Sequence, residues 1–172
     1  MTARVKIGII GTGGIARAHV AAYRKLPYVD IVAVADVIPG KARQFTELEG
    51  LTETAAFDSH TDLLKADLDG VSICTPNVSH HRTAVDSLRA GKQVLLEKPM
   101  SVTLAEALEM VQTAKETGRM LTIGFQPRYD PNMKKLQDIV QSGRLGNVYY
   151  VETGGGRRRG MPGGTFISKT LA

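Results

Sequence analysis

Six residues near the N-terminus have the types and spacing needed to hold a diphosphate. The run Gly11-Thr12-Gly13-Gly14-Ile15-Ala16 follows a β-branched apolar stretch, residues 5–10, and precedes an amphipathic one, so that strand, glycine turn and helix come in succession. In a G-x-G-x-x-A run of this kind the first glycine permits a tight turn and the second lets an anion approach the backbone. The alanine lets the helix pack closely on the strand. The helix N-terminus that follows offers unpaired N–H groups to the same anion. Such glycines alone are weak evidence. Asp36 strengthens them, because it falls about 25 residues after Gly11, at the end of the second apolar run, where a carboxylate accepts hydrogen bonds from the hydroxyls of an adenosine ribose. A carboxylate in that place repels a 2′-phosphate, so NAD is expected over NADP. Lys41 and Arg43 follow closely enough to keep that preference short of absolute.

A dinucleotide site of this kind needs a parallel sheet beneath it, and the chain alternates short apolar runs with amphipathic stretches as βαβ units do. Strands are expected over residues 5–10, 31–35, 71–74, 94–97 and 121–124, with a weak one over 55–57. Helices are expected over 15–25, 41–49, 61–65, 80–90 and 104–117. Thr103 with Glu106 forms a capping box, and Gly91 and Gly118 fall where a helix ends on a left-handed residue. After Gly124 the alternation stops. Asp130 and Pro131 start one more helix, Gly143 ends it, and residues 148–153 read as a strand. At 172 residues with 42% hydrophobic content the chain suffices for one good core and not for two. The expected architecture is an α/β, doubly wound parallel-sheet Rossmann fold over residues 1–124. Residues 125–172 then begin an incomplete α/β second domain, for substrate and oligomerisation. A strand there leaves its edges unpaired, and self-association through this C-terminal segment is expected.

The net charge of +5 does not point to nucleic acid, because the cations are scattered among acids on the polar faces of helices. Arg157, Arg158 and Arg159 are the exception. They lie among glycines and read as a solvated charge run, with contact to a phosphate or acidic substrate as the sharper alternative. The single cysteine, Cys74, sits in an apolar run and reads as a buried core thiol. No cluster of His, Cys and acid has metal-ligand spacing, no apolar run approaches membrane-spanning length, and the N-terminus does not read as a signal peptide. A cytoplasmic protein with neither metal nor membrane partner is expected.

Three further motifs stand in register with the glycine run: Thr75-Pro76-Asn77 with His80, Glu97-Lys98-Pro99, and Gly124-Phe125-Gln126-Pro127-Arg128-Tyr129. Gly143-Arg144-Leu145-Gly146 follows them. In these motifs the chain resembles the Gfo/Idh/MocA oxidoreductases over nearly its whole length. The resemblance implies that Thr75-Pro76-Asn77 lies against the dinucleotide, that Glu97 and Lys98 reach the nicotinamide side, and that the Lys98–Pro99 bond is cis. It also implies a following substrate domain, action on sugars or cyclitols, and oligomerisation through that domain's sheet. One departure is that such members carry an Asp and a His or Tyr near the lysine from the later domain, and residues 125–172 supply no counterpart.

Position supports the same assignment independently, since ligands of open α/β sheets bind outside the carboxyl ends of the strands, where Thr75 and Lys98 fall. The cofactor-binding set is Gly11, Thr12, Gly13, Gly14, Ile15, Asp36, Thr75, Pro76, Asn77, His80, Glu97, Lys98 and Gln126. Lys98 is the catalytic candidate: in a dry site its ammonium hydrogen-bonds a substrate hydroxyl and stabilises the developing alkoxide. A salt bridge to Glu97 is the structural alternative. Asn77 reads equally as a cofactor contact or a cap, and His80 equally as a cap or a site residue, whereas His81 reads as surface. Gln126 and Arg128 read either as cofactor or substrate contacts or as a structural boundary. The expected function is NAD-dependent hydride transfer to or from a sugar, polyol or cyclitol hydroxyl. A redox glycosidase holding NAD, and a non-catalytic dinucleotide-binding module, are the alternatives.

Overall fold

The computed structural model describes residues 4–156 and residues 160, 163, 167, 168 and 170. Six strands form one sheet in the order β3-β2-β1-β4-β5-β6, and every neighbouring pair is parallel. These are β1 (Val5–Ile10), β2 (Val29–Ala35), β3 (Ala55–Phe57), β4 (Gly70–Ile73), β5 (Gln93–Leu96) and β6 (Leu121–Ile123). The helices that return the chain between them are α1 (Gly14–Tyr23), α2 (Lys41–Leu48), α3 (His60–Leu63), α4 (His80–Arg89) and α5 (Leu104–Thr117). A short 3-10 turn, Asn77–Ser79, leads into α4. Another, Gln126–Tyr129, leads into α6 (Pro131–Gln141). This is the doubly wound arrangement expected from the alternation. Its strand order reverses between β1 and β4, which opens a crevice at the carboxyl edge.

Period-two alternation within the strands divides the core into two layers. On one face Ile9, Val34 and Cys74 pack against Ala16 and Val20 of α1 and Ala42 and Phe45 of α2. On the other, Ile10, Ala35, Val71, Ile73, Val94 and Leu96 meet Leu63, Ala84, Val85, Leu88 and Met110. Helix ends follow local chemistry: Thr103 and Glu106 close both halves of their capping box, and Gly118 ends α5 at φ 63°. Asp130 accepts the N–H groups of Asn132 and Met133 and so caps α6, with Pro131 in its first turn. Among the described residues no helix is long and apolar enough to cross a membrane.

Cys74 lies in the α1 layer, and burial, reinforced by the Glu97 carboxylate, pushes its thiol up to about 12. At about pH 8 only about one molecule in ten thousand would then carry the reactive thiolate. Cys74 should therefore resist iodoacetamide in the folded protein and react once urea unfolds it; rapid labelling of the native chain would contradict its placement.

The expectation of a strand over residues 148–153 is corrected: that segment forms neither strand nor helix. Its Val and Tyr residues have β-propensity, but a strand exists only where a neighbour pairs with its N–H and C=O groups, and among the described residues no strand pairs with it. Tyr149, Tyr150 and Val151 are accordingly exposed. α6 forms as expected yet buries no residue, leaving Met133, Leu136 and Val140 open along one face. The Arg157–Arg159 run lies outside the described residues.

Candidate cofactor and active site

β1 delivers its glycine turn to the point where the strand order reverses. There Gly11 donates its N–H to Ala35 O at 2.8 Å and Cys74 donates to Ile10 O at 2.7 Å, which pins the turn between the ends of β2 and β4. Gly11 has φ +91°, and a Cβ on it would stand 2.7 Å from Cys74 O and 2.8 Å from Cys74 C. A side chain is excluded there by backbone on both counts. Gly13 caps α1 in extended geometry with no side-chain hydrogen bond, and a Cβ on Gly13 or Gly14 would meet no atom within 4 Å. The first turn of α1, where Ile15 is also exposed, therefore fronts open space at Gly13 and Gly14.

Asp36, just beyond β2, is buried and joined to that turn. Its Oδ2 accepts the Thr12 hydroxyl at 2.6 Å, the Thr12 N–H at 3.0 Å and the Lys41 ammonium at 3.0 Å, and its Oδ1 accepts the Ile38 N–H at 3.1 Å. Burial works against the charged carboxyl, but the donors from Thr12, Ile38 and Lys41 together outweigh it and hold its pKa below the ordinary value. A depressed folded pKa means the carboxylate's contribution to stability is present above the unfolded value and is lost as pH falls through the folded one. Asp36 thus stays ionised through the neutral range.

At the end of β4, Thr75 Oγ1 is buried without a hydrogen-bond partner. A buried hydroxyl without a partner at one strand end, together with a glycine turn open at Gly13 and Gly14 at the next, is what a dinucleotide site presents, and the residues present fit NAD. Pro76 stands at the N-cap of the 3-10 turn, and Asn77 is the turn's first residue. His80 is 1% exposed: its Nδ1 lies 2.7 Å from Pro99 O and its Nε2 3.0 Å from Thr75 O. Both ring nitrogens face backbone carbonyls, so His80 sits between the β4 and β5 end loops and links them through whichever nitrogen carries the proton. His81 instead pairs with Glu109 on the outer surface.

At the end of β5, Glu97 is buried and Lys98 exposed, and the Lys98–Pro99 peptide is cis as the resemblance implies. Glu97 Oε1 accepts from His19 Nε2 at 2.9 Å and from Gln126 Nε2 at 3.3 Å, and Oε2 accepts the Lys98 N–H at 3.3 Å. Among the described residues the Lys98 ammonium forms no ion pair, with Glu97 or any other acid. The salt-bridge alternative for Lys98 is not what the structure contains. Arg128 sits 5.8 Å from the centre of the Phe125 ring.

His19, Ser72 and Tyr23 were not legible as site residues. A carboxylate only accepts, so His19 donates to it from Nε2, and Nδ1 then accepts from Ser72 Oγ at 3.2 Å. Tyr23 OH lies 2.5 Å from the same Ser72 oxygen. Burial raises the Tyr23 pKa, opposed by its hydrogen bond to Ser72, so the phenol keeps its proton. Two signals were available: Ala16, His19 and Tyr23 recur at helical spacing on one face of α1, and Ser72 is a lone hydroxyl in the otherwise apolar Val71-Ser72-Ile73.

Comparison with known proteins agrees with this geometry. The model of an oxidoreductase family with an NAD-binding Rossmann fold, Gfo/Idh/MocA, matches residues 5–125. D-glucoside 3-dehydrogenase of Escherichia coli is 33% identical over 169 residues, which are 97% of this chain and 48% of that protein. The scyllo-inositol dehydrogenase of Lactobacillus casei, solved with NAD(H) and scyllo-inositol, superposes with TM-score 0.77 at 25% identity, covering 84% of this chain and 43% of that one. A mutant of KijD10, a 3-ketoreductase from Actinomadura kijaniata solved with TDP-benzene and NADP, superposes with TM-score 0.76 at 27% identity over 84% of this chain and 46% of that one. The chain spans about half the length of the curated relatives it matches. With the glycine turn, Asp36 and the Glu97-Lys98-Pro99 loop gathered at one sheet edge, and the family match running across all three, the chain belongs to the Gfo/Idh/MocA family of oxidoreductases and carries its NAD-binding Rossmann domain.

Proposed function

We propose that this chain binds NAD(H) along the carboxyl edge of its sheet and serves a dehydrogenase that moves hydride between the nicotinamide and a carbon bearing a hydroxyl of a sugar, polyol or cyclitol. The observation that carries the reading is Asp36, locked to Thr12 of the glycine turn, with Lys98 at the same edge forming no ion pair among the described residues. When bound, the cofactor's nicotinamide ring accepts or returns the hydride. Gly13, Gly14 and the uncapped start of α1 hold the diphosphate, Asp36 accepts from the adenosine ribose, and Thr75 Oγ1 gains a partner. In the reducing direction the Lys98 ammonium would hydrogen-bond the carbonyl oxygen, stabilise the negative charge developing on it and give it a proton as hydride reaches the carbon. In the oxidising direction the neutral amine would take the hydroxyl proton as hydride leaves. Glu97, held by His19 and Gln126, keeps the backbone at Lys98 in place and itself stays in the wall. The names of the relatives, D-glucoside 3-dehydrogenase and scyllo-inositol dehydrogenase, support a polyhydroxylated substrate. We read residues 125–172 as the beginning of a substrate and oligomerisation domain, supported by the open apolar face of α6, and the protein as acting in the cytoplasm.

Calorimetric titration tests the cofactor assignment. NADH should bind more tightly than NADPH, and Asp36→Ala should weaken NADH by about 1–3 kcal/mol while narrowing the gap between the two. Equal affinities in the parent chain, unchanged by Asp36→Ala, would remove Asp36 from the ribose. Polyol-dependent formation of NADH, without release of a sugar, separates dehydrogenase from glycosidase chemistry.

A further inference from the structure

Asp36 meets the ribose end of the site already paired. Lys41 is the first residue of α2, and its ammonium lies 3.0 Å from Asp36 Oδ2, where two Thr12 donors also converge. Gly40, which caps α2, makes no side-chain hydrogen bond, so the helix N-terminus adds positive potential at the same place. The acid of the next loop, Asp58, is engaged by the Gly40 N–H at 3.1 Å. Val37 and Ile38, the residues between, are 79% and 55% exposed and wall off nothing. The Lys41 side chain is itself 37% exposed, with solvent beside it into which it can turn.

We propose that Lys41 sets cofactor selectivity: by neutralising Asp36 and offering its ammonium to a 2′-phosphate, it lets this site accept NADP(H) alongside NAD(H). The inference rests on the reading above that this end of β2 receives the adenosine ribose. A bare carboxylate repels a phosphate, whereas a carboxylate–ammonium pair is neutral as a unit. When a 2′-phosphate enters, the ammonium exchanges one charge-assisted hydrogen bond for another. Asp36 is not stranded by that exchange, because the two Thr12 donors and the Ile38 N–H remain on it. With NAD(H) bound, Lys41 stays on Asp36 and the ribose hydroxyls take the less crowded Oδ1. Arg43, two residues along α2, points about 200° around the helix from Lys41 and is the natural comparator.

The test is a titration of NADH and NADPH into this 172-residue chain and into Lys41→Met, Lys41→Arg and Arg43→Met, at one ionic strength, with thermal midpoints recorded. Lys41→Met should raise the ratio of the NADPH to the NADH dissociation constant by about tenfold or more, the size expected for one charged hydrogen bond. Lys41→Arg should keep the ratio near the parent value, and Arg43→Met should leave it unchanged. Should Met at position 41 lower the midpoint, Lys41→Gln repeats the measurement. A ratio that stays put or falls in Lys41→Met, including equal weakening of both cofactors, overturns the selectivity role and leaves Lys41 a brace for α2. Failure of the parent chain to bind NADH would instead overturn the cofactor reading itself, and this inference with it.

Discussion

Replacing Lys98 by alanine, in a form of the protein that turns over substrate, is expected to lower kcat at least about a hundredfold while moving the thermal midpoint little. The separation follows from what Lys98 touches. Its backbone N–H is held by Glu97 Oε2, an interaction alanine retains, whereas its side chain is exposed and forms no ion pair among the described residues. Removing an exposed, unpaired ammonium leaves no buried group unsatisfied, and substitutions of that kind usually stay within about 0.5 kcal/mol. The catalytic loss arises because the charge is needed only as the substrate oxygen becomes negative. NADH affinity measured beside turnover should change little. Full turnover in Lys98→Ala would exclude the role, and a fall in midpoint with unaltered chemistry would make Lys98 structural.

Two glycines separated by a single residue should fail in opposite ways. Gly11→Ala introduces a Cβ within 2.9 Å of three backbone atoms, Cys74 O, Cys74 C and Thr75 N, at φ +91°. Those atoms cannot retreat, since Cys74 N is bonded to Ile10 O and Glu97 N to Ile73 O in the ladder beside them. Overlap with immobile backbone, added to left-handed strain, should lower stability by about 3 kcal/mol or more and disturb the turn with it. Gly13→Ala places its Cβ in empty space at an ordinary φ of −73°. Stability there should stay within about 1 kcal/mol of the parent. NADH affinity should nonetheless fall by about tenfold or more, because that space is where the diphosphate must approach the backbone. Chemical denaturation and NADH titration on both variants check the pair. A Gly13→Ala chain that binds NADH as well as the parent would move the diphosphate away from this turn, and a Gly11→Ala chain of parental stability would contradict the packing of β1 against β4.

Much of the site was legible because its signals are local. A glycine turn between strand and helix, an acid at the end of the next strand and a capping threonine three residues before a glutamate each depend on neighbours within one or two elements. Those neighbours appear in the structure as Thr12 on Asp36 and Thr103 on Glu106. Alternation of apolar residues likewise determined which strands exist and, through their number and the crossovers between them, that the sheet is parallel and doubly wound. The tertiary structure alone decided what Glu97 does, since its partner His19 lies 78 residues away and Ser72 lies 53 from that histidine. Folding likewise determined that His80 sits between two loops with its ring nitrogens facing the carbonyls of Thr75 and Pro99, a placement with no sequence spacing to announce it. Residues 148–153 mark the same divide from the other side. Their composition suits a strand, but strand formation is a property of two chain segments, and hydrogen bonds to a neighbour, not propensity, decide whether it occurs.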